Sequence, residues 1–282
     1  MARPDGPITV CVINLKGGVG KSTIAALLAR RGYRTHDLDV LAIDLDPQAN
    51  LSQGLMHSDY SEFLTQQRPS IVELFSGYIP PTPKASTPKP LLPNPAFEII
   101  AESGPRSLQL IPSRFDFSDN LLGAVRPDPK TLARYLSSNF QHKDLIIIDC
   151  SPTESILTTA AYHASGKVLV PVKPEYFATI GFPLLQQSLD QFRNRNRAHN
   201  IAVVGVVVNN AFYDGGNNGG PEKARAIREI RAEAKKNGWP IYEHEIYHSR
   251  GFPKIMRGDN SYSGNADYFY TFANEFFKSV GL

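Results

Sequence analysis

The feature that most constrains the fold of this chain is a glycine-rich loop between an apolar run and a helix-forming segment. Residues 8–14 (ITVCVIN) are mostly apolar and β-branched, which is typical of a buried strand, and residues 21–30 (KSTIAALLAR) are mostly strong helix formers. Gly17, Gly18 and Gly20 lie between the two segments and allow backbone conformations that a Cβ atom would forbid. The pattern predicts a strand, a tight turn and a helix N-terminus, with several backbone N–H groups directed at one point.

This arrangement is typical of a phosphate-binding loop, because the free N–H groups and the dipole at a helix N-terminus both favour an anion. Lys21 would reach the β- and γ-phosphates of ATP, and the hydroxyl of Ser22 would be a ligand of Mg²⁺. The loop departs from the ordinary pattern, since Leu15 takes the place of the first glycine and Lys16 adds a second lysine. The residues expected at the nucleotide are Lys16, Gly17, Gly18, Val19, Gly20, Lys21, Ser22 and Thr23.

Three aspartates follow two other strand-like runs. Asp44 and Asp46 lie in the segment AIDLDPQAN, and Asp149 ends the run LIIID. Since ligands of parallel sheets bind at the carboxyl ends of the strands, we expect these carboxylates near the phosphates. Asp149 would hold a water molecule of the Mg²⁺ shell. An aspartate at the end of a strand also commonly caps the next helix, which is the alternative for Asp46.

The order of these segments predicts a doubly wound α/β fold, in which helices flank a mostly parallel sheet. Strands are expected at residues 8–14, 40–45, 97–101, 108–111, 145–149, 168–172 and 201–209. Helices are expected at 70–75, 130–138, 156–164, 182–193, 221–237 and 266–280, besides the first helix, which Gly32 would end. We expect one domain, residues 1–282, with a proline-rich insertion at about 76–96 that is either a solvated loop or an extended segment for a partner.

Composition and cysteine content indicate the cellular compartment. The chain of 282 residues is 41% hydrophobic and 20% charged, which is ordinary for a globular protein, and no run is long enough to span a membrane. The N-terminus lacks the pattern of a signal peptide. Cys11 and Cys150 both fall in strand-like segments and are interpreted as reduced core residues. The sequence therefore predicts a cytoplasmic protein.

The loop KGGVGKS, the segment DLDPQAN and the run LIIID follow one another in the order found in the ParA family of deviant P-loop ATPases. The chain resembles that family over nearly its whole length. The resemblance implies an ATP-sandwich homodimer in which Lys16 contacts the nucleotide of the partner, the alternative being a solvated surface lysine. It also implies catalytic roles for Lys21 and Asp46, with Asp46 orienting the attacking water, and a supporting role for Asp44 in the Mg²⁺ shell.

Two departures from the family pattern and one further site residue complete this comparison. Ala49 replaces the usual glycine of DLDPQGN, and Ser151 replaces the first of two prolines after the strand of Asp149. By resemblance to relatives such as MinD, Asn209 would hydrogen-bond adenine, and Asn210 is the competing candidate.

Other proteins with this loop attach to membranes, hold an iron–sulfur cluster or phosphorylate tyrosine. A membrane helix would be basic and amphipathic, whereas the last helix has an apolar stripe that predicts packing on the sheet. The stripe is Tyr268, Phe269, Phe272, Ala273, Phe276, Phe277 and Val280. A shared cluster needs a second surface cysteine, which the sequence lacks. Tyr268 and Tyr270 are assigned to the core, which removes the case for a tyrosine cluster.

Positive charge is concentrated in the C-terminal third of the chain. The net charge is +3, but residues 191–260 alone contain twelve Lys/Arg against seven Asp/Glu. The helix at 221–237 would bury Ala226, Ile227, Ile230 and Ala234 and expose basic residues on a neighbouring face. The candidate DNA-binding residues are Arg193, Arg195, Arg197, Arg225, Arg228, Arg231 and Lys235. They would neutralise phosphates without reading sequence, and a solvated basic face is the alternative.

Together these features predict a weak ATP hydrolase, with ATP and Mg²⁺ as cofactors, that dimerises and binds nucleoid DNA non-specifically. Its role would be to position or segregate a cargo, such as a plasmid, a chromosome or a protein assembly. A ParB-like or other adaptor protein would stimulate hydrolysis, and no membrane partner is expected. The alternative is an ATP-switched regulatory or assembly factor of the same fold that does not bind DNA.

Overall fold

The structure is a computed structural model that describes residues 6–77, 94–101, 106–117, 128–175, 178, 180–211, 220–259 and 266–282. Most of the proline-rich insertion expected at about 76–96 lies outside these residues. None of the helices in the described part is long and apolar enough to cross a membrane.

An eight-stranded sheet forms the centre of the described structure. Its strands are β1 (Ile8–Val12), β2 (Val40–Asp44), β3 (Phe97–Ala101), β4 (Ser107–Ile111), β5 (Leu145–Asp149), β6 (Lys167–Val172), β7 (Ala202–Ala211) and β8 (Ile246–Tyr247). Their order across the sheet is β3-β4-β2-β5-β1-β6-β7-β8. Every neighbouring pair is parallel except β3 and β4. The prediction of a mostly parallel, doubly wound sheet is confirmed.

The described residues form ten helices. They are α1 (Lys21–His36), α2 (Asn50–Met56), α3 (Asp59–Thr65), α4 (Ile71–Gly77), α5 (Thr131–Asn139), α6 (Ile156–Ala164), α7 (Gly181–Arg195), α8 (Gly220–Lys236), α9 (Phe252–Met256) and α10 (Asp267–Val280). Helices cover both faces of the sheet, as β1 shows by its alternating side chains. Val10 and Val12 belong to the core under α1, α2, α3, α9 and α10, whereas Cys11 and Ile13 belong to the core under α4 to α8. Cys11 and Cys150 are both buried free thiols.

The predicted end of the first helix was wrong. Helix α1 continues past Gly32 to His36 and ends where Asp37 adopts a left-handed conformation, with φ of 56°. A Cβ atom at position 32 would lie 3.4 Å from the side chains of Leu145 and Val40. Gly32 therefore allows close packing of α1 on the sheet rather than ending the helix.

Four short elements were not predicted. Helices α2 and α3 have seven residues each, α9 has five, and β8 has two. Segments of this length give at most a weak periodic pattern, and among the seven-residue helices only α4 was predicted. Two of them, α2 and α9, nevertheless contribute to the site described below.

The apolar stripe of the last helix packs as expected, apart from its first residue. Phe269, Phe272, Ala273, Phe276, Phe277 and Val280 are buried against the sheet. Tyr268 is 49% exposed and lies against the ring of Tyr247, with the ring centroids 4.4 Å apart. The core assignment of Tyr268 was therefore wrong, because Tyr268 packs on Tyr247 of the edge strand β8 and stays about half exposed.

The carboxyl ends of the central strands meet at one edge of the sheet. In the parallel register Val12 of β1 is opposite Asp149 of β5, and Asp149 is in turn opposite Asp44 of β2. The chain leaves β1 toward β2 on one side and reaches β6 on the other side, so β1 lies at the point where the strand order reverses. Ligands of open α/β sheets bind at this point.

Candidate functional site

The glycine-rich loop joins β1 to α1 at this edge. Gly18 and Gly20 have φ of 72° and 87°, in the left-handed region that favours glycine. A Cβ atom on Gly20 would overlap the side-chain amide of Asn209, so position 20 also requires glycine for space. The loop opens onto a cavity of about 500 Å³ lined by Gly17, Gly18, Gly20, Lys21, Ser22, Thr23, Asp46, Gln48, Asn50, Pro152 and Met256.

Two buried asparagines hold the loop in place. Asn14 Nδ2 donates to the carbonyl of Pro171 over 2.8 Å, and Asn14 Oδ1 accepts from the backbone N–H of Lys16 over 3.0 Å. Asn209 Nδ2 donates to the carbonyl of Val19 over 2.7 Å. The amide nitrogen of Asn209 is thus engaged by the loop itself, and the adenine contact stays a prediction. The anchoring role of Asn14 was not predicted, since nothing in a single sequence distinguishes it from other strand ends.

Lys21 begins α1 and is 6% exposed at the cavity wall. Its Nζ lies 3.5 Å from the carbonyl oxygen of Lys16. Burial lowers the pKa of the Lys21 ammonium, and the negative charges of Asp149 and Asp46 act in the opposite direction. An ammonium held in this way gains most from a further anion, which is what a nucleotide phosphate would supply.

Asp149 is a buried carboxylate that the described structure does not satisfy. It is 0% exposed, and within the described residues neither of its oxygens makes a hydrogen bond of good geometry, although the Ser22 hydroxyl is near enough to influence its pKa. Burial raises the pKa of Asp149 well above its usual range and the charge of Asp44 raises it further, while Ser22 and Lys21 partly oppose this shift. Two unpartnered carboxylate oxygens beside a serine hydroxyl suit a hard divalent cation such as Mg²⁺. Within the described residues no group of three His, Cys, Asp or Glu side chains could hold a metal, so the ion would also need phosphate and water oxygens.

Asp44 and Asp46 have different surroundings. Asp44 is fully buried and accepts hydrogen bonds from Ser52 Oγ over 2.7 Å, from Ser52 N over 2.8 Å and from Asp46 N over 3.0 Å. Burial raises the pKa of Asp44 to about 7 despite these hydrogen bonds. Asp46 lines the cavity and accepts one hydrogen bond, from the N–H of Gln48 over 2.9 Å. Of the two, Asp46 is therefore the carboxylate that faces the cavity, and Asp44 holds the backbone of Asp46.

Lys16 lies at the rim of the loop and is paired within its own chain. Its Nζ lies 3.3 Å from Glu175 Oε2, just beyond the end of β6, and Lys173 pairs with the other oxygen of the same carboxylate. Both lysines lower the pKa of Glu175, and the effect of Lys173 is the larger of the two. Helix α7 begins beside the backbone of Lys16, at Gly181, and the adjacent side chains of Ile180 and Leu184 are 58% and 54% exposed. Sequence reasoning did not identify Glu175, because residues 16 and 175 become neighbours only through the sheet.

A family model described as an AAA domain matches residues 8–203. The chromosome-partitioning ATPase Soj of Treponema pallidum (strain Nichols) is 31% identical over 273 residues, which cover 88% of this chain and 95% of Soj. The chain belongs to the ParA/Soj family of P-loop ATPases.

Two other similarities describe how far the relationship extends. The uncharacterised protein Rv1708 of Mycobacterium tuberculosis (strain H37Rv) is 30% identical to this ATPase over 198 residues, which cover 68% of this chain and 54% of Rv1708. The chain thus spans about half the length of that relative. Among solved structures, an ATP complex of McdA from Cyanothece matches with a TM-score of 0.77 and 20% identity, covering 98% of this chain and 97% of McdA. At that identity the likeness shows the fold alone.

The basic residues of this ParA/Soj ATPase divide into two groups. Arg193 donates to the carbonyl of Ile201 and pairs with Asp190, and Arg225 pairs with Glu229 over 2.8 Å. The other predicted DNA-binding residues are exposed and have no ion pair within the described residues; they are Arg195, Arg197, Arg228, Arg231 and Lys235. Helix α8 buries Ala226, Ile230 and Ala234 as predicted, with Ile227 partly buried at the same core. The exposed group is the part of the predicted DNA surface with charge available for phosphates.

Proposed function

We propose that this ATPase forms an ATP-bound homodimer that binds DNA without sequence preference and positions or segregates a cargo. The observation that carries the proposal is the placement of two lysines. Lys21 supplies the ammonium inside the chain's own phosphate site, while Lys16 lies outside it beside the exposed Ile180 and Leu184. An ammonium that is buried when two chains meet needs an anion nearby, and the nucleotide of the partner would provide one.

ATP would occupy the cavity, with its β- and γ-phosphates on the loop N–H groups and Lys21. Ser22 and Asp149 would hold Mg²⁺, directly or through its waters, and the ion would neutralise charge on the phosphates. Both side-chain oxygens of Asp44 already accept hydrogen bonds, so Asp44 would support the Mg²⁺ shell indirectly, by holding the backbone of Asp46. Asp46 faces the cavity and would orient the attacking water, which is most of what phosphoryl transfer requires of a protein.

The DNA-bound dimer would locate to the nucleoid in the cytoplasm. Exposed cations along α8 and beyond α7 would contact phosphates on any sequence. Intrinsic hydrolysis would be slow, and a ParB-like or other adaptor protein would stimulate it and so release the dimer from DNA. Residues 1–282 would act as one domain. The similarity to the partitioning ATPase Soj supports a cargo-positioning role of this kind.

Substitution of the two lysines tests the proposal. Lys21→Ala should abolish nucleotide binding, because it removes the ammonium inside the site. Lys16→Ala should leave ATP affinity within about twofold, a difference of under half a kcal/mol, while ATP-dependent dimerisation and hydrolysis are lost. Light scattering with a non-hydrolysable ATP analogue and a nucleotide titration measure the two effects.

Lys173→Ala is the matched control, since Lys173 pairs with the same carboxylate as Lys16 but lies outside the loop. It should dimerise normally. If Lys16→Ala also dimerises and hydrolyses ATP normally, Lys16 is a solvated surface residue and the dimer mechanism is wrong. If the parent protein dimerises with ATP but never binds DNA, the alternative applies, an ATP-switched regulatory or assembly factor.

A further inference from the structure

A chain of buried hydrogen bonds connects Asp46 to helix α3 through three other elements. The N–H of Asp46 donates to Asp44 Oδ1 over 3.0 Å, and Ser52 Oγ of α2 donates to Asp44 Oδ2 over 2.7 Å. The N–H of Ser113, which follows β4, donates to Ser52 Oγ over 2.9 Å. Tyr60 Oη of α3 donates to the carbonyl of Ser113 over 3.1 Å. Asp46 and α3 are thereby joined through four consecutive hydrogen bonds.

Ser52 is the central residue of this series of hydrogen bonds, and its hydroxyl acts as both a donor and an acceptor. The hydroxyl donates its single hydrogen bond to Asp44 and accepts a hydrogen bond from the N–H of Ser113. Since Ser52 and Ser113 are both 0% exposed, bulk solvent does not reach these hydrogen bonds. The side chain of Asp44 is consequently held by two donors from Ser52 on one oxygen and by Asp46 on the other.

We propose that Ser52, Ser113 and Tyr60 are positioning residues that set the orientation of Asp44 and, through it, of the carboxylate of Asp46. The proposal rests on the proposed ATP hydrolysis at this site, where Asp46 orients the attacking water. Tyr60 is 6% exposed, so the surrounding core restricts the position of its side chain at the end of this series of hydrogen bonds. Catalytic rate depends on sub-ångström placement of a group such as the Asp46 carboxylate. Nucleotide binding by the loop, in contrast, does not depend on these hydrogen bonds.

The first test uses kinetics of the full chain with Mg²⁺ and ATP. Ser52→Ala should lower kcat by about tenfold to a hundredfold, the usual effect of losing an outer positioning partner, with KM nearly unchanged. Ser52→Thr keeps the hydroxyl and should restore most of the rate. Tyr60→Phe removes only the last hydrogen bond and should cost about fivefold.

Two comparisons distinguish the loss of these connected hydrogen bonds from a general disturbance of the fold. Tyr242→Phe is the matched control, because Tyr242 is also buried and its hydroxyl bonds Ser279 Oγ over 2.8 Å, away from Asp44. Its kcat should equal that of the parent. In the double variant Ser52→Ala/Tyr60→Phe, the tyrosine change should add little, since the chain is already broken at Ser52.

A second readout needs neither nucleotide nor turnover. Hydrogen exchange of the Asp46 amide in the nucleotide-free protein should be faster in Ser52→Ala than in the parent, because the acceptor Asp44 is less constrained. Unchanged exchange, fully additive losses or equal losses in Tyr242→Phe would each overturn the proposal. If the parent hydrolyses no ATP, the proposed function fails, while the exchange experiment still decides whether the chain orders Asp46. Should Ser52→Ala fail to fold, Tyr60→Phe provides the same two readouts.

Discussion

Among single residues, Asp149 shows how a group of the candidate site lowers the stability of the folded protein. A fully buried carboxylate that has no hydrogen bond of good geometry within the described residues is costly, because burial disfavours its charged form. Its neighbour across the sheet, Asp44, adds to the cost through like charge. The same two features make Asp149 suited to an oxygen-liganded cation. The nucleotide-free protein therefore disfavours the ionised form of Asp149, and binding of a cation would favour it.

Asp149→Asn should stabilise the nucleotide-free protein at pH 8 by an amount on the order of 1 kcal/mol or more, while removing Mg²⁺-dependent hydrolysis. The folded-state pKa of Asp149 is raised, so its contribution to stability is present at low pH and is lost as pH rises through that pKa. The advantage of the variant should accordingly shrink as the pH is lowered from 8 to 5, because the parent carboxyl takes up its proton over the lower part of the pH range.

Thermal unfolding at the two pH values measures this effect, and Asp190→Asn serves as a control at a carboxylate that is 50% exposed. The control should change stability little at either pH. A variant that is less stable than the parent at pH 8 would contradict the interpretation of Asp149 as an unsatisfied charge.

At the scale of elements, α8 separates a packing face from a charged face. Ala226, Ile230 and Ala234 are buried, whereas Arg228, Arg231 and Lys235 recur at spacings of three and four and share an exposed face. Arg225 and Lys236 lie on the same helix but are paired with Glu229 and Glu233. Within the described residues, Arg228, Arg231 and Lys235 have no ion pair, whereas Lys223 of the same helix pairs with Glu245.

Replacement of Arg228, Arg231 and Lys235 by alanine should weaken ATP-dependent DNA binding to the same extent on unrelated sequences. The slope of log affinity against log salt should fall by up to about 0.9 for each lost phosphate contact. DNA-binding titrations over a series of salt concentrations measure this slope. The control variant, Arg225→Ala/Lys236→Ala, should change it less, and equal effects of the two variants would place the DNA surface elsewhere.

At the scale of the whole molecule, the rim of the site has an apolar surface next to Lys16. Ile180 and Leu184 lie about one helical turn apart and are 58% and 54% exposed. Exposed large apolar side chains that are clustered beside a functional site are typical of an interaction surface. In the proposed dimer, this surface and Lys16 would be covered together.

Ile180→Ser/Leu184→Ser should prevent ATP-dependent dimerisation without reducing ATP affinity, because both side chains lie outside the cavity. Since they are already exposed, the monomer should lose little stability. Light scattering with a non-hydrolysable ATP analogue gives the oligomeric state. Phe115→Ser is the control, at an apolar side chain that is 56% exposed elsewhere on the surface and should leave the dimer intact. A double variant that dimerises like the parent would exclude this surface from the interface.

Local sequence patterns were sufficient for seven of the eight strands, the long helices and the placement of the loop and aspartates at one edge. These features depend on local patterns: apolar β-branched runs, helix-forming segments and glycines in the turn between them. Strands β3 and β4 were predicted for the same reason, as short apolar runs, whereas their antiparallel orientation came only from the structure. Residues that end strands of a parallel sheet share an edge whatever the details of packing.

Only the tertiary structure decided which groups satisfy one another. Asn209 donates to the loop, Glu175 pairs with Lys16, and Ser52 holds Asp44, although the partners are up to 190 residues apart in sequence. Gly32 lies inside α1 and Tyr268 outside the core, because their surroundings come from the sheet and from Tyr247 rather than from their own segments. Hydrogen bonds and close contacts depend on distances of a few tenths of an ångström, which are set by the packing of elements distant in sequence.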